Sequence, residues 1–149
     1  MAYNQALTER MALVSTLDPV SQSADTVASD VVDMQNFRRV IFILSVGAMG
    51  TGSKVDMTIK GDTASNGSFA TTITGKAITQ LTQAGTDANK QVMVEVTAEE
   101  VAAQGFRYIR AAVVVAVEAS LISLVGLGEF MRYSNATAKD LSSVDEIVV

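Results

Sequence analysis

The sequence contains no cysteine, no histidine and no tryptophan, and Pro19 is its single proline among 149 residues. Each absence removes a class of chemistry. Without cysteine there are no disulfides, no thiolate zinc clusters and no thiol nucleophile. Without histidine the usual general base near neutral pH is missing, together with the commonest ligand of transition metals. Basic residues are also short: 11 Lys and Arg stand against 16 Asp and Glu, a formal net charge of −5. Neutralising phosphates requires a surplus of cations, and the one adjacent basic pair is Arg38-Arg39, opening an apolar run. No nucleic-acid partner is expected.

What is present is apolar. Hydrophobic residues make up 48% of the chain, charged residues 18% and aromatics 5%. A chain of this length fits one domain and buries roughly 70% of its unfolded surface, so a core without staples is within reach. Between Ala111 and Gly128 the only charge is Glu118, a window long enough to raise a membrane span. A carboxylate at mid-bilayer is costly, and Ala119-Ser120 divides the run into two β-branched halves. The expectation is two buried strands joined near Glu118-Ala119-Ser120, and no membrane partner. Met1 to Glu9 is polar, without the charged start and apolar run of a secretory signal. Synthesis in a reducing cytoplasm is expected.

Strand periodicity dominates. Val55, Met57 and Ile59 share one face of a run whose other face carries Lys54, Asp56, Thr58 and Lys60, the signature of a half-buried antiparallel strand. Val92, Val94 and Val96 repeat it. Val40 to Leu44 and Phe106 to Val117 are apolar on both faces, as central or subunit-packed strands are. Weaker candidates are Ala12 to Ser15, Thr26 to Val32, Phe69 to Thr74, Ala77 to Leu81 and Leu121 to Met131. Turns are expected at Gly47 to Gly52, at Asn66-Gly67 and at Ala84 to Asp87. Thr97-Ala98-Glu99-Glu100 is a capping box, and Gly105 stands where a C-terminal cap belongs, so one short helix is expected. About eight strands and one short helix describe an all-β protein, an antiparallel β-sandwich or jelly roll.

The ends differ from this body. Residues 1–10 form a polar N-terminal arm, 11–132 the sandwich, and 133–149 a C-terminal tail. In the tail Leu141, Val144 and Ile147 are spaced three apart and Val148-Val149 follow. A solvated tail lacks such a terminus, so either the parent domain or a neighbour should cover it.

Chemical motifs fare poorly. Gly47 to Lys54 has the glycine spacing of a phosphate loop, but the order Ser53-Lys54 is reversed and a strand, not a helix, follows. No Asp-x-Asp-x-Asp-Gly loop offers a calcium site. Asp30 and Asp33, Glu99-Glu100 and Asp145-Glu146 each suit a turn, a helix start or a polar terminus. No Gly-x-Ser-x-Gly elbow exists, and nothing singles out Lys54, Lys60, Lys76, Lys90 or Lys139 as partner of a nucleophilic serine. Asn66-Gly67-Ser68 and Asn135-Ala136-Thr137 match the glycosylation pattern, relevant only in a secretory pathway. No enzymatic activity, cofactor, metal or small-molecule substrate is expected. Mean hydropathy is +0.29, and that apolar surplus with so little charge points to packing against other chains.

Several segments carry a resemblance over nearly the whole chain: Ala2-Tyr3-Asn4-Gln5, Thr8-Glu9-Arg10, Asp33 to Arg39, Ile73 to Leu81, Asp87 to Gln91 and Asp140 to Glu146. The sequence resembles the capsid cement (head decoration) proteins of tailed bacteriophages and prophages. The resemblance implies a jelly-roll sandwich that forms a homodimer, with a trimer as the alternative. It implies a place on the outer capsid surface of the virion, clamping neighbouring major capsid proteins. No contact residues transfer from it. The residues themselves nominate the arm and tail for partner binding, through Tyr3, Asn4, Leu7, Arg10, Leu141, Val144, Ile147 and Val148. A tail or head–tail connector component is the rival within the same biology, and a carbohydrate-binding or adhesion module the rival outside it. Scarce aromatics disfavour sugar stacking.

Overall fold

In the computed structural model, which describes residues 6–129 and 136–149, the alternation of residue types becomes an alternation of burial. Along β4 (Arg39–Met49), Val40, Phe42, Leu44 and Val46 are buried, while Ile41, Ile43 and Ser45 between them are half-buried. In β5 (Lys54–Asp62) Val55, Met57 and Ile59 turn inward. The other strands are β1 (Met11–Gln22), β2 (Asp25–Ala28), β3 (Val32–Asp33), β6 (Thr71–Ala77), β7 (Leu81–Thr82), β8 (Lys90–Thr97), β9 (Tyr108–Ala116) and β10 (Ser120–Glu129). Helix α2 (Ala98–Ala103) follows β8 with its capping box formed: the Thr97 hydroxyl accepts the Glu100 N–H, and the Glu100 carboxylate accepts the Thr97 N–H at 2.9 Å. Gly105, at φ 79°, ends that connection.

Every pairing is antiparallel. The first sheet has the order β1-β10-β4-β8; the second has β2-β9-β5-β6, with β3 beside β9 and β7 beside β5. Setting aside the two-residue β3 and β7, the strands nest: β1 with β10, β2 with β9, β4 with β8, β5 with β6. Successive nested pairs fall in opposite sheets. A ribbon of nested pairs rolled in this way is the jelly roll. The apolar window from Ala111 to Gly128 is split as its composition implies, β9 lying in the second sheet and β10 in the first. The turn expected from Gly47 begins later, because β4 runs on to Met49; Gly50 to Ser53 is the tight connection from β4 to β5, closed by the Ser53 N–H on the Gly50 carbonyl at 3.0 Å.

Several weak strand expectations are corrected. The run from Ala12 to Ser15 is part of a twelve-residue strand that keeps pairing with β10 past two register shifts, the second spanning Pro19. Thr26 to Val32 is interrupted after Ala28, where the Ser29 hydroxyl takes the Ala111 N–H that a continuing ladder would have used. Phe69 lies outside β6 because its φ is 51°, and its ring sits under the Arg110 guanidinium at 4.5 Å. Ala77 to Leu81 is not a strand: β6 ends at Ala77, and pairing resumes only at Leu81–Thr82. The expected strand from Leu121 runs to Glu129, and its continuation to Met131 lies outside the described residues. A four-residue helix α1 (Leu7–Arg10) and a 3-10 turn η1 (Ala136–Lys139), neither expected, flank the body.

The sheets pack through Phe42, Leu44, Met57, Ile59, Ile73, Ile109 and Leu124, all with under 2% exposure. Burying each such side chain is worth about 1.5–3 kcal/mol. Two pairs of buried hydroxyls bridge the layers. Ser15 on β1 lies 2.7 Å from Ser29, which is bonded to β9. Ser53, just before β5, lies 2.6 Å from Ser120 on β10. On the inner side of β10, Gly126 and Gly128 leave room for Phe42 and Phe37; a Cβ on Gly128 would lie 2.5 Å from a Phe37 ring carbon. Gly128→Val is expected to lower stability by about 1–3 kcal/mol through overpacking, read as a fall in urea midpoint at unchanged slope. In the crossing from β9 to β10, Val117 holds φ 73° although β-branched and 62% exposed. Left-handed backbone costs a side-chain-bearing residue about 1–2 kcal/mol. Val117→Gly is therefore expected to raise the melting temperature slightly, its added chain entropy offsetting part of the relief.

Candidate functional site

Helix α1 and the segment from η1 to Leu141 meet at the free edge of β1. The Leu13 N–H donates to Asp140 Oδ1 at 2.6 Å, and the Leu141 N–H donates to the Leu13 carbonyl at 2.8 Å. Both outward backbone groups of an edge residue are thus satisfied, which blunts an edge that would otherwise template another strand. Helix α1 is held by the Ala6 N–H on the Glu9 carboxylate at 3.0 Å, and Ala136 of η1 is fully buried. Between them lies an open groove of about 340 Å³, lined by Leu7, Met11, Leu13, Leu127, Val144 and Ile147, with Thr8 and Asp140 at its polar border.

Of the residues nominated from sequence, Leu7, Val144 and Ile147 come together in this groove. Leu141 serves through its backbone, Arg10 is half-buried at the end of α1, and Val148 stands 79% exposed beyond the groove. Tyr3 and Asn4 lie outside the described residues. Sequence reading missed Met11, Leu13, Leu127 and Asp140. The two leucines sit among other apolar strand residues, so nothing in the sequence marks them as lining a groove. Asp140 carried no signal either, because its partner is 127 residues away.

The groove opens onto the outer face of the first sheet. There Leu13, Leu127 and Ile41 lie side by side across three strands, and Val125, Ile43 and Met93 form the next row. The opposite face of the sandwich presents Lys54, Asp56, Thr58 and Lys60 from β5 and Arg110 from β9. The first sheet's outer face is the more apolar of the two, although Val114 stands 36% exposed among the polar residues of the second.

Several charged groups are engaged in structural pairs. Arg39 faces Glu95 at 3.4 Å and Glu129 at 3.8 Å; Arg107 holds Asp33 at 2.6 Å. Lys76 meets Glu100 and Lys90 meets Asp87, each at 2.8 Å. Lys60 donates to the Thr72 hydroxyl at 2.8 Å. The Arg107 guanidinium holds the Asp33 carboxyl below its ordinary range, and Asp33 in turn raises Arg107. Lys76 lowers Glu100, Lys90 lowers Asp87, and the Ala64 and Phe69 N–H groups lower Asp62. Among the described residues no group of three or more Asp, Glu, His or Cys could hold a metal ion, and no helix is long and apolar enough to cross a membrane.

No protein-family model and no curated protein matches the chain. Among solved structures it is similar to a chain in the structure of infectious bursal disease virus, Gx strain, at 12% identity and a TM-score of 0.40. The match covers 85% of this chain and 33% of that one, so this chain spans about a third of that neighbour's length.

The four lowered carboxyls fix the sign of the acid response. Their unfolded forms bind protons more readily than their folded forms, so their contribution is complete above the ordinary carboxylate range. It is lost as pH falls through the lowered values. Thermal melts are expected to be level above about pH 5 and to fall steeply below about pH 4. Asp33→Asn should make that fall shallower.

Proposed function

We propose that this chain is a structural protein of a virion, of the head-decoration type. It lies on the outside of a tailed-phage head and holds neighbouring major capsid proteins together by adhesion, without chemistry. The observation that carries the reading is the nested jelly-roll strand order, the fold implied by the resemblance of the quoted segments. The sandwich supplies a stiff body. The groove between α1 and the tail supplies an adhesive end, with Leu7 60% exposed in its lining and Val148 79% and Val149 92% exposed beyond it. Cementing a shell needs modest contacts repeated over a symmetric lattice, where avidity multiplies weak affinities.

Densitometry of purified particles tests the role: hundreds of copies, in fixed ratio to the major capsid protein, are expected. About a dozen copies would make it a ring component of a connector or tail instead. The contact is tested with heads lacking the protein. Leu7→Glu combined with Val148→Glu alters two exposed side chains, so the sandwich should still fold. Binding to such heads, followed by co-sedimentation, is expected to fall by more than about tenfold. Unchanged decoration would remove the terminal groove from the contact.

A further inference from the structure

In the turn between β5 and β6, Asn66 stands exposed and is followed by Gly67. Its side-chain amide holds no hydrogen bond among the described residues. The carbonyl carbon of that amide is an electrophile, and the next backbone nitrogen is shielded by no side chain, since glycine has none. Attack by that nitrogen closes a five-membered ring, and a reaction within one chain needs a bond rotation where two molecules would need a collision. We infer that Asn66-Gly67 is a self-modifying site, where asparagine converts to aspartate and isoaspartate and loosens the loop that holds Phe69.

The step consumes only water. The Gly67 N–H gives its proton to hydroxide, and the nitrogen bonds to Asn66 Cγ. The Cγ–Nδ2 bond breaks, the leaving nitrogen takes a proton from water, and ammonia departs from a succinimide. Water opens either carbonyl of that ring, leaving aspartate or, with the chain running through Cβ and Cγ, isoaspartate. The reacting nitrogen is lightly held: the Gly67 N–H donates to the Ala64 carbonyl at 3.2 Å in an exposed turn, a bond that opens at little cost. The other described asparagines are placed differently. Asn36 is half-buried and precedes the buried Phe37, whose ring packs on Gly128. Asn89 precedes Lys90 at the start of β8. In both, a side chain crowds the nitrogen that would attack.

Asp62 fixes what the reaction changes. Its carboxylate accepts the Ala64 N–H at 3.1 Å and the Phe69 N–H at 3.0 Å, so it ties both ends of the turn. Gly67 lies flush against it, and a Cβ there would collide with that carboxylate. Phe69, at φ 51°, is buried beneath the Arg110 guanidinium, a strained position that persists only while its surroundings hold it. Isoaspartate lengthens the main chain by one carbon within the tie. Either product also adds a carboxylate beside the glycine that touches Asp62, and like charges disfavour one another. Both changes weaken the hold on Phe69.

Ageing the full chain in mildly alkaline buffer tests the site, with peptide mass mapping over time and hydrogen exchange on the separated products. Asn66 is expected to gain about one mass unit, more than about tenfold faster than Asn36 or Asn89, and faster as pH rises. Asn66→Gln, one methylene longer and exposed, should fold as the parent does and stay unconverted; the comparison among asparagines of the parent stands without it. In the isoaspartyl product the Phe69 N–H is expected to exchange more than about tenfold faster than in the unreacted chain, while amides of β4 keep their protection. Conversion at Asn66 no faster than at Asn36 or Asn89 overturns the inference. So does an isoaspartyl product whose Phe69 amide exchanges as slowly as the parent's. Neither result bears on head decoration, which copy number and head binding decide.

Discussion

The dry layer between the two sheets is the constraint on which the other features depend. Phe42 on β4 and Phe37 before it project into that layer, and β10 carries Gly126 and Gly128 where their rings lie. Those glycines weaken a strand locally, a cost the layer imposes because both sheets must approach to about 10 Å. The same spacing explains the buried hydroxyls. Near β1 and β2, and again between β9 and β10, the layers come together at the rim, and the chain places Ser15 with Ser29 and Ser53 with Ser120 there. A buried hydroxyl is tolerable only when bonded, and each of these four is.

Nesting decides how the layer is assembled. Met11 at the start of β1 pairs with Glu129 at the end of β10, so the first sheet closes only when nearly the whole chain is in place. β5 and β6, by contrast, are neighbours in sequence and pair locally. Such a topology is dominated by non-local pairing, the feature that slows folding in all-β domains. The edge of β1 would then be the last exposed, and Asp140 and Leu141 cover it with side-chain and backbone bonds.

Elements whose signal is local were legible in the sequence. The alternation of β5 and β8, the double-sided apolar runs of β4 and β9, and the Thr97–Glu100 box each state their own structure within a few residues. What could not be read lay in distant partners. Phe69 leaves the strand pattern because the Arg110 guanidinium, 41 residues on, covers its ring while the nearby Asp62 carboxylate takes its N–H. Ser29 ends β2 because it answers β9. At the terminal groove, Leu7, Val144 and Ile147 were marked by being apolar in polar surroundings. Leu13 and Leu127 were hidden among other strand leucines, and Asp140 looked like any tail carboxylate. The strand order was legible only through resemblance, since periodicity says which face is wet and not which strand is next.

The apolar surplus noticed in the composition has an address in the fold. On β5 the second sheet gives most of its outward positions to Lys54, Asp56, Thr58 and Lys60, with Arg110 and an exposed Val114 beside them on β9. The first sheet places Ile41, Ile43, Leu127, Val125 and Met93 outward, with Arg39, Glu95 and Glu129 at their border. Had the surplus been spread evenly, it would have been ordinary, since scattered surface hydrophobes need no account. Gathered on one sheet and continued into the groove between the chain ends, it forms a single extended patch of the kind that marks association. Apolar area gathered in this way is what the proposed adhesive role draws on.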